Sequence, residues 1–122
     1  MTNNLTQAAM DNTSQYLARN YRIETLRTKL GTAKGIPASR IWLEGKRLTL
    51  AGFTKGKRFD KVFNRETGSL ILQLADTGAK VSGKGNDDHP IIDITGKKIA
   101  SYFLGLTHVR VTFEHGRITI MR

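Results

Sequence analysis

The sequence predicts a small, mainly β domain built from two tandem copies of one unit. The pattern I-x-L-x-G-K-x-L at 41–48 returns as I-x-I-x-G-K-x-I at 92–99, a shift of 51 residues. Each copy closes with a glycine and an alternating apolar strand, G-x-L-x-L at 68–72 and G-x-I-x-I at 116–120. A repeat unit of this size buries its apolar face against its neighbour. We therefore expect the two copies to pack about a pseudo-twofold axis.

The length of 122 residues fits a single domain. Residues 1–20 are polar, which predicts a flexible tail, and residues 21–122 are expected to form one β domain. Within it we place repeat one at about 36–74, a linker at 75–90 and repeat two at 91–122. The linker assignment rests on its glycine and aspartate content and its lack of apolar periodicity.

Local signals predict the elements of the first copy in chain order. Residues 22–34 fit either a basic strand or one or two helical turns. Alternation around Ile41 and Leu43 predicts a half-buried strand, and the following residues predict a short helical turn that ends near Gly52. Residues 59–63 then form a short extended run.

The remaining elements of the two copies follow the same rules. Leu70 and Leu72 predict the returning strand of the first copy. In the second copy, β-branched residues alternate at 109–113 and 118–120 around a turn at 114–117, which predicts a hairpin. The five phenylalanines are expected in the core: Phe53, Phe59, Phe63, Phe103 and Phe113.

Composition excludes several classes of function. The chain has no cysteine, which rules out disulfides, thiolate metal sites and thiol nucleophiles. Its apolar runs are short and the first residues lack a signal-peptide pattern, so we expect a cytoplasmic protein without a membrane partner. The sequence predicts no cofactor and no metal. Asp87-Asp88-His89 resembles a fragment of a metal site, but no second ligand cluster accompanies it.

Positive charge is concentrated in one part of the sequence. The net charge is +10, and residues 19–65 carry 13 basic and 3 acidic residues, whereas the rest of the chain is neutral. Such asymmetry predicts a surface that faces a polyanion. Nucleic acid is the preferred partner, with an acidic protein surface as the alternative.

At the motif L-x-x-A-G-F-x-x-G of residues 48–56, preceded by Ile36-Pro37 and Gly45, the chain resembles the SymE-like toxin family. That family is similar to the AbrB/MazE swapped-hairpin DNA-binding fold. The resemblance covers about residues 36–73 and is looser in the second copy. It implies a small swapped-hairpin, AbrB-like barrel, which two copies in one chain would build as a monomeric pseudo-dimer; a homodimer is the other option.

Most of the candidate binding residues are cations in or beside turns, where flexible side chains reach phosphates easily. Lysines at 97 and 98 occupy the positions of Lys46 and Arg47 in the first copy. The predicted nucleic-acid-binding set is Arg40, Lys46, Arg47, Lys55, Lys57, Arg58, Lys61, Lys97 and Lys98. A basic arm is expected to extend it: Arg19, Arg22, Arg27, Lys29 and Lys34.

Two further residue types could take part in function. Trp42, the only tryptophan, could stack on an unpaired base, although packing across a sheet or subunit interface is the preferred interpretation. His108 and His115 could approach each other across the final hairpin as an acid–base pair for RNA cleavage, with Arg110 or Arg117 stabilising the phosphorane. The preferred interpretation assigns them no catalytic role.

Three functions remain open from the sequence. The first is a duplex-DNA-binding module of regulatory or nucleoid type, in which the basic first copy docks on the backbone. The second, implied by the resemblance, is an RNA-targeting toxin or endoribonuclease. The third is a small regulator that docks on an acidic protein surface.

Overall fold

The computed structural model describes residues 24–83, 85 and 89–122. The predicted tail, the arm residues Arg19 and Arg22, and Asp87 and Asp88 lie outside the described residues. Elements before residue 76 are β1 (Glu24–Lys29), β2 (Gly31–Ala33), β3 (Ile36–Glu44), α1 (Lys46–Leu50), β4 (Arg58–Asn64) and β5 (Ser69–Ala75). Those after it are β6 (Ala79–Lys80), β7 (Ser82–Gly83), β8 (Pro90–Thr95), α2 (Lys97–Tyr102), β9 (His108–Glu114) and β10 (Arg117–Met121).

Two antiparallel sheets form the domain. The large sheet has the strand order β1-β9-β10-β5-β4-β6, and the small sheet has the order β2-β3-β8-β7. Over the described residues, the mainly β class with two short helical segments is therefore confirmed. Neither sheet closes into a barrel over the described residues, so the predicted closed barrel is not observed. Each sheet instead has two edge strands, which are β1 and β6 in the large sheet and β2 and β7 in the small sheet.

The small sheet joins the two halves of the chain through matching positions. Ile41 lies opposite Ile94 and Leu43 opposite Ile92, so a shift of 51 residues exchanges the members of the two pairs. Their side chains face the core and are at most 6 % exposed. The predicted strand around Ile41 and Leu43 is confirmed, and its pairing partner is the repeated motif itself.

The backbone repeats this correspondence at the entrance to each helix. Gly45 N–H donates to Pro90 O at 3.0 Å, and Gly96 N–H donates to Ser39 O at 3.1 Å. Both glycines adopt positive φ, 94° and 136°, which L-residues rarely adopt. The two Gly-Lys dipeptides of the repeat therefore change the chain direction in the same way, from strand into helix.

A single hydrophobic core lies between the sheets and the helices. It contains residues from both halves, including Leu48 of α1 and Ile99 of α2, each at most 2 % exposed. Four of the five phenylalanines are buried as predicted, and Phe63 packs at the margin of the core. Burial of this shared core, rather than either half alone, stabilises the domain.

The segment predicted as a linker contributes structure. Residues 79–80 and 82–83 form β6 and β7, and Val81 between them is 1 % exposed. Val81 N–H donates to Lys57 O at 2.8 Å, as Leu30 N–H donates to Thr107 O at 2.8 Å in the other half. The apolar period is absent here because a single buried valine between two-residue strands leaves no repeat to detect.

The two outer strands of the large sheet differ in length. β1 pairs with β9 over six residues, from Glu24 opposite Phe113 to Lys29 opposite His108. β6 pairs with β4 at Arg58 and Phe59 alone. Within the segment for which strand and helix were both open, Glu24–Lys29 form the edge strand that covers β9, and Gly31–Ala33 form β2 of the small sheet. Most of the β4 edge has no neighbour among the described residues.

The turn at Gly78 is expected to tolerate no side chain. Gly78 has φ 103°, and a Cβ there would lie 2.5 Å from Phe59 O. We expect Gly78→Ala to lower the free energy of unfolding by about 2–4 kcal/mol, since it adds a backbone clash to the cost of positive φ. Gly35→Ala is the matched control, because Gly35 has φ 77° and open space around it. Its expected cost is about 1–2 kcal/mol, and equal losses in urea melts would contradict the clash.

Candidate nucleic-acid interface

The solvent face of the large sheet places two arginines side by side. Arg27 of β1 lies directly opposite Arg110 of β9, and both are exposed. Directly opposite residues project from the same face with Cβ atoms about 5 Å apart, and like charges at such positions are destabilising. Neither guanidinium has an ion pair among the described residues. This pair therefore repels without a carboxylate to offset it.

Two more cross-strand pairs consist of basic side chains. Lys29 lies opposite His108 at one end of the sheet, and Arg58 lies opposite Lys80 at the other. Arg58 Nη1 donates to Gly78 O, an uncharged acceptor, at 2.8 Å. We call the five cations of this surface the cationic face. The cationic face consists of Arg27, Lys29, Arg58, Lys80 and Arg110.

Acidic residues are few on the same side of the sheet. Glu114 pairs with Arg117 across the β9–β10 turn at 3.1 Å, and this contact raises the pKa of Arg117 above its usual value. Asp60 lies opposite Gln73 on β4. Because Glu114 is already paired, Asp60 alone among these strand positions opposes the field of the cationic face.

Arg40 and Trp42 belong to a polar network on the small sheet. Arg40 binds Asp93 through Nε and Nη2 at 2.9 and 2.8 Å, and this hydrogen-bonded pair raises the pKa of Arg40. Its guanidinium carbon also lies 5.1 Å from the Trp42 ring centroid. The Asp93 carboxylate offsets the charge of Arg40, which makes Arg40 a weaker phosphate ligand than its sequence context predicted.

The same network continues through Glu44. Trp42 Nε1–H donates to Glu44 Oε1 at 2.9 Å, and Glu44 Oε2 contacts His89 Nε2. The Trp42 side chain is 40 % exposed, so it packs against a neighbouring arginine on an outer surface and not within the core. Base stacking by Trp42 stays a prediction.

The other predicted cations lie in several places. Arg47 of α1 binds Glu24 of β1 at 2.9 and 3.1 Å, Lys55 Nζ donates to Gly85 O at 3.3 Å, and Lys57 precedes β4. Lys46 and Lys97 are exposed at the first positions of α1 and α2. Lys34 occupies the β2–β3 turn. The predicted set therefore does not form one cluster.

Lys61 and Lys98, in contrast, meet in one groove. The groove runs beside β4 and α2, and Lys98 Nζ lies 4.3 Å from the ring centroid of Phe63 on its wall. Two arginines that the sequence did not single out, Arg65 and Arg122, also line it, and no described acidic residue does. We call this site the basic groove.

The sequence signals for the cations of the large sheet differ in strength. Arg27 and Lys29 alternate on one strand and were predicted as an arm, and Arg110 alternates with buried valines on β9. Alternation could therefore have assigned each to a solvent face. No local signal indicates that β1 pairs with β9, which is what brings Arg27 and Arg110 together.

The structure contradicts the histidine pair. His108 begins β9 and His115 follows its last residue, so the two lie at opposite ends of one strand. Seven residues at about 3.4 Å each separate them by about 24 Å, beyond any shared proton transfer. The hairpin brings Glu114 and Arg117 together across its turn instead.

The described residues contain neither a candidate membrane-spanning helix nor a candidate metal site. No helix there is long and apolar enough to cross a membrane. No group of three or more histidine, cysteine or acidic side chains in the same ranges is arranged to hold a metal ion.

Comparisons with known proteins add no assignment to this geometry. No protein-family model, curated protein or solved structure matched the chain. The resemblance to the SymE-like family stays a prediction. We infer function from the cationic face and the basic groove.

Proposed function

We propose that this protein binds nucleic acid, duplex DNA in the first instance, through the cationic face of its large sheet. The observation that carries the proposal is the direct opposition of Arg27 and Arg110, neither of which has an ion pair with a described residue. In the absence of a ligand, repulsion between these two like charges destabilises the folded protein. A phosphate between the two guanidiniums would turn that repulsion into two charge-assisted hydrogen bonds.

The dimensions of the face suit a phosphate backbone. The large sheet has six strands, so β1 and β6 are five spacings of about 4.8 Å apart and the two basic ends of the face lie about 24 Å from each other. A six-stranded sheet is too wide to enter a major groove of about 12 Å. The contacts are therefore expected on phosphates, with little reading of base edges.

Both halves of the chain contribute to this face. Arg27, Lys29 and Arg58 come from the strongly basic half, and Lys80 and Arg110 come from the half that is neutral in sequence. The charge asymmetry of the sequence is thus distributed across the sheet by strand pairing. In this proposal neither half serves only as scaffold.

We also propose that the chain is an internally duplicated swapped-hairpin unit of AbrB-like type with an open, unclosed sheet. Support comes from strand exchange: β1 of the first half pairs with β9, and β6 of the second half pairs with β4. The exchanged pairs at Ile41 and Leu43 support the same relation. The duplication places the Lys29–His108 and Lys80–Arg58 pairs at matching ends of the large sheet.

A salt series tests the proposed function. Five cations neutralising about five phosphates predict a slope near −4.5 for log affinity against log salt, since each contact releases about 0.9 counterion. The measurement is fluorescence anisotropy of a labelled 20-base-pair duplex between about 50 and 300 mM salt, the range in which counterion release is diagnostic. The same series is run with single-stranded DNA and with RNA of equal length.

Each outcome separates the open functions. Steep binding that favours the duplex supports the proposal. Binding that favours RNA, with cleavage of the probe, would replace it with the toxin function. No binding to any of the three probes at 50 mM salt would leave an acidic protein surface as the partner of the cationic face.

A further inference from the structure

The basic groove lies along an uncovered strand edge, and the other half of the molecule shows how such an edge is covered. β9 is paired along its length by β1, whereas β6 covers β4 only at Arg58 and Phe59. Beyond Phe59, the β4 backbone has no strand partner on this side among the described residues. An exposed strand edge offers unpaired N–H and C=O groups to an incoming extended segment.

Matching positions make β1 a template for that segment. Phe63 lies opposite Leu70 and Phe113 lies opposite Ile118, so each phenylalanine faces the first apolar residue of its returning strand. Glu24 of β1 lies opposite Phe113 and binds Arg47, the second residue of α1, at 2.9 and 3.1 Å.

The groove beside β4 has no described carboxylate that corresponds to Glu24. Lys98 is the second residue of α2, as Arg47 is of α1, and its Nζ lies over Phe63. No acidic residue lines the groove among the described residues. The two that adjoin it in sequence are Asp60, which lies opposite Gln73 on β4, and Glu66, which belongs to the β4–β5 turn. The cation that would receive a glutamate is therefore present without it.

We propose that an extended acidic peptide of a partner protein adds to the β4 edge as an antiparallel strand, with a glutamate opposite Phe63 that binds Lys98. Charge complementarity selects the occupant. Lys61 lies two residues along the strand, and Arg65 and Arg122 lie beyond Phe63, so carboxylates on both sides of the glutamate meet cations. Val62, which is 51 % exposed, would be covered by the same segment.

The turn at Gly78 limits the length of the docked segment. Gly78 lies against Phe59 O and Asp60 Oδ1, which closes the edge at that end. The accessible stretch is therefore 61–65, which matches a segment of about five residues at about 3.4 Å each. The predicted binding motif is acidic-x-Glu-x-acidic, read from the amino terminus, because alternate residues of the segment project from the same face as the glutamate.

The first test uses a fluorescein-labelled peptide, Asp-Thr-Glu-Thr-Glu, in anisotropy titrations with the full chain. Antiparallel pairing directs alternate amides toward the partner strand. Two peptides N-methylated at alternate residues should therefore differ, one retaining binding and the other losing at least ten-fold. Equal affinities of the two, or no binding at millimolar peptide, would overturn strand addition.

The second test assigns the acidic specificity. Lys98→Glu should weaken peptide binding about ten-fold, because an attractive pair becomes a repulsive one. Lys97→Glu, the exposed neighbour outside the groove, is the matched control and should change it less than two-fold. Displacement of the peptide by an oligothymidylate with the same dependence on Lys98 would reassign the groove to nucleic acid and overturn the proposal. Duplex binding by the cationic face is measured separately, so each proposal fails on its own readout.

Discussion

The double variant Arg27→Glu, Arg110→Glu is expected to weaken binding to duplex DNA by at least about 100-fold near 100 mM salt. Each lost phosphate contact removes the release of about 0.9 counterion, which is worth about eight-fold at this salt concentration. Two lost contacts account for about 60-fold, and repulsion between carboxylate and phosphate adds to it. The anisotropy salt series should also show a slope shallower by about 1.8.

The control for this variant carries the same change in net charge. Lys46→Glu, Lys97→Glu reverses two exposed lysines that begin α1 and α2, outside the cationic face. We expect a loss below about five-fold, from the general field alone. An equal loss in both double variants would show that net charge, and not the Arg27–Arg110 pair, governs binding.

A stability measurement on the single variant supports the reading of the pair. Arg27→Glu creates an opposite-charge pair with Arg110, so thermal unfolding should show a gain of about 0.2–1 kcal/mol while DNA binding falls. A gain in stability together with a loss of DNA affinity is the result expected if Arg27 and Arg110 repel each other in the free protein and bind phosphate together. A loss of both would indicate that Arg27 stabilises the fold through contacts of its own.

Replacement of Phe103 by alanine is expected to lower the free energy of unfolding by about 3–5 kcal/mol. Phe103 follows α2, is fully buried and contacts Tyr102 edge-on with ring centroids 5.2 Å apart. Its removal leaves a cavity in the core shared by both halves, which the surrounding strands cannot fill by local movement. Urea unfolding followed by circular dichroism measures the loss.

Leu104→Ala is the matched control for the Phe103 variant. Leu104 is the next residue in the chain and is 73 % exposed. We expect a change within about 0.5 kcal/mol, as for most surface substitutions. A loss comparable to that of Phe103→Ala would mean that the segment after α2, and not core packing, limits stability.

Much of the fold could be predicted because its signals are local. Alternation at Ile41 and Leu43 reports a strand with one buried face, and the repeated glycines report the entrance to each short helix. The final hairpin is equally local, since its strands are joined by a two-residue turn. Where pairing was too short to produce a period, at β6 and β7, the same reasoning assigned a linker.

The candidate site was less predictable for the same physical reason. Turn cations were favoured because they are mobile, yet Arg40 and Arg47 are held by Asp93 and Glu24, which lie 53 and 23 residues away in sequence. Arg65 and Arg122 join Lys61 and Lys98 only because a hairpin, the end of β10 and a helix meet at one groove. Neither arrangement has a signature within a window of a few residues.

The sequence by itself determined the class of fold, the repeated motif at 41–48 and 92–99, most of the strands and the excess of positive charge, because side-chain alternation and composition do not depend on distant residues. Only the tertiary structure decided which cations stand together. Strand partners and registers are set by burial of one common core. That burial pairs β1 with β9, so Arg27 lies opposite Arg110 and cations from both parts of the sequence lie on one face of the large sheet.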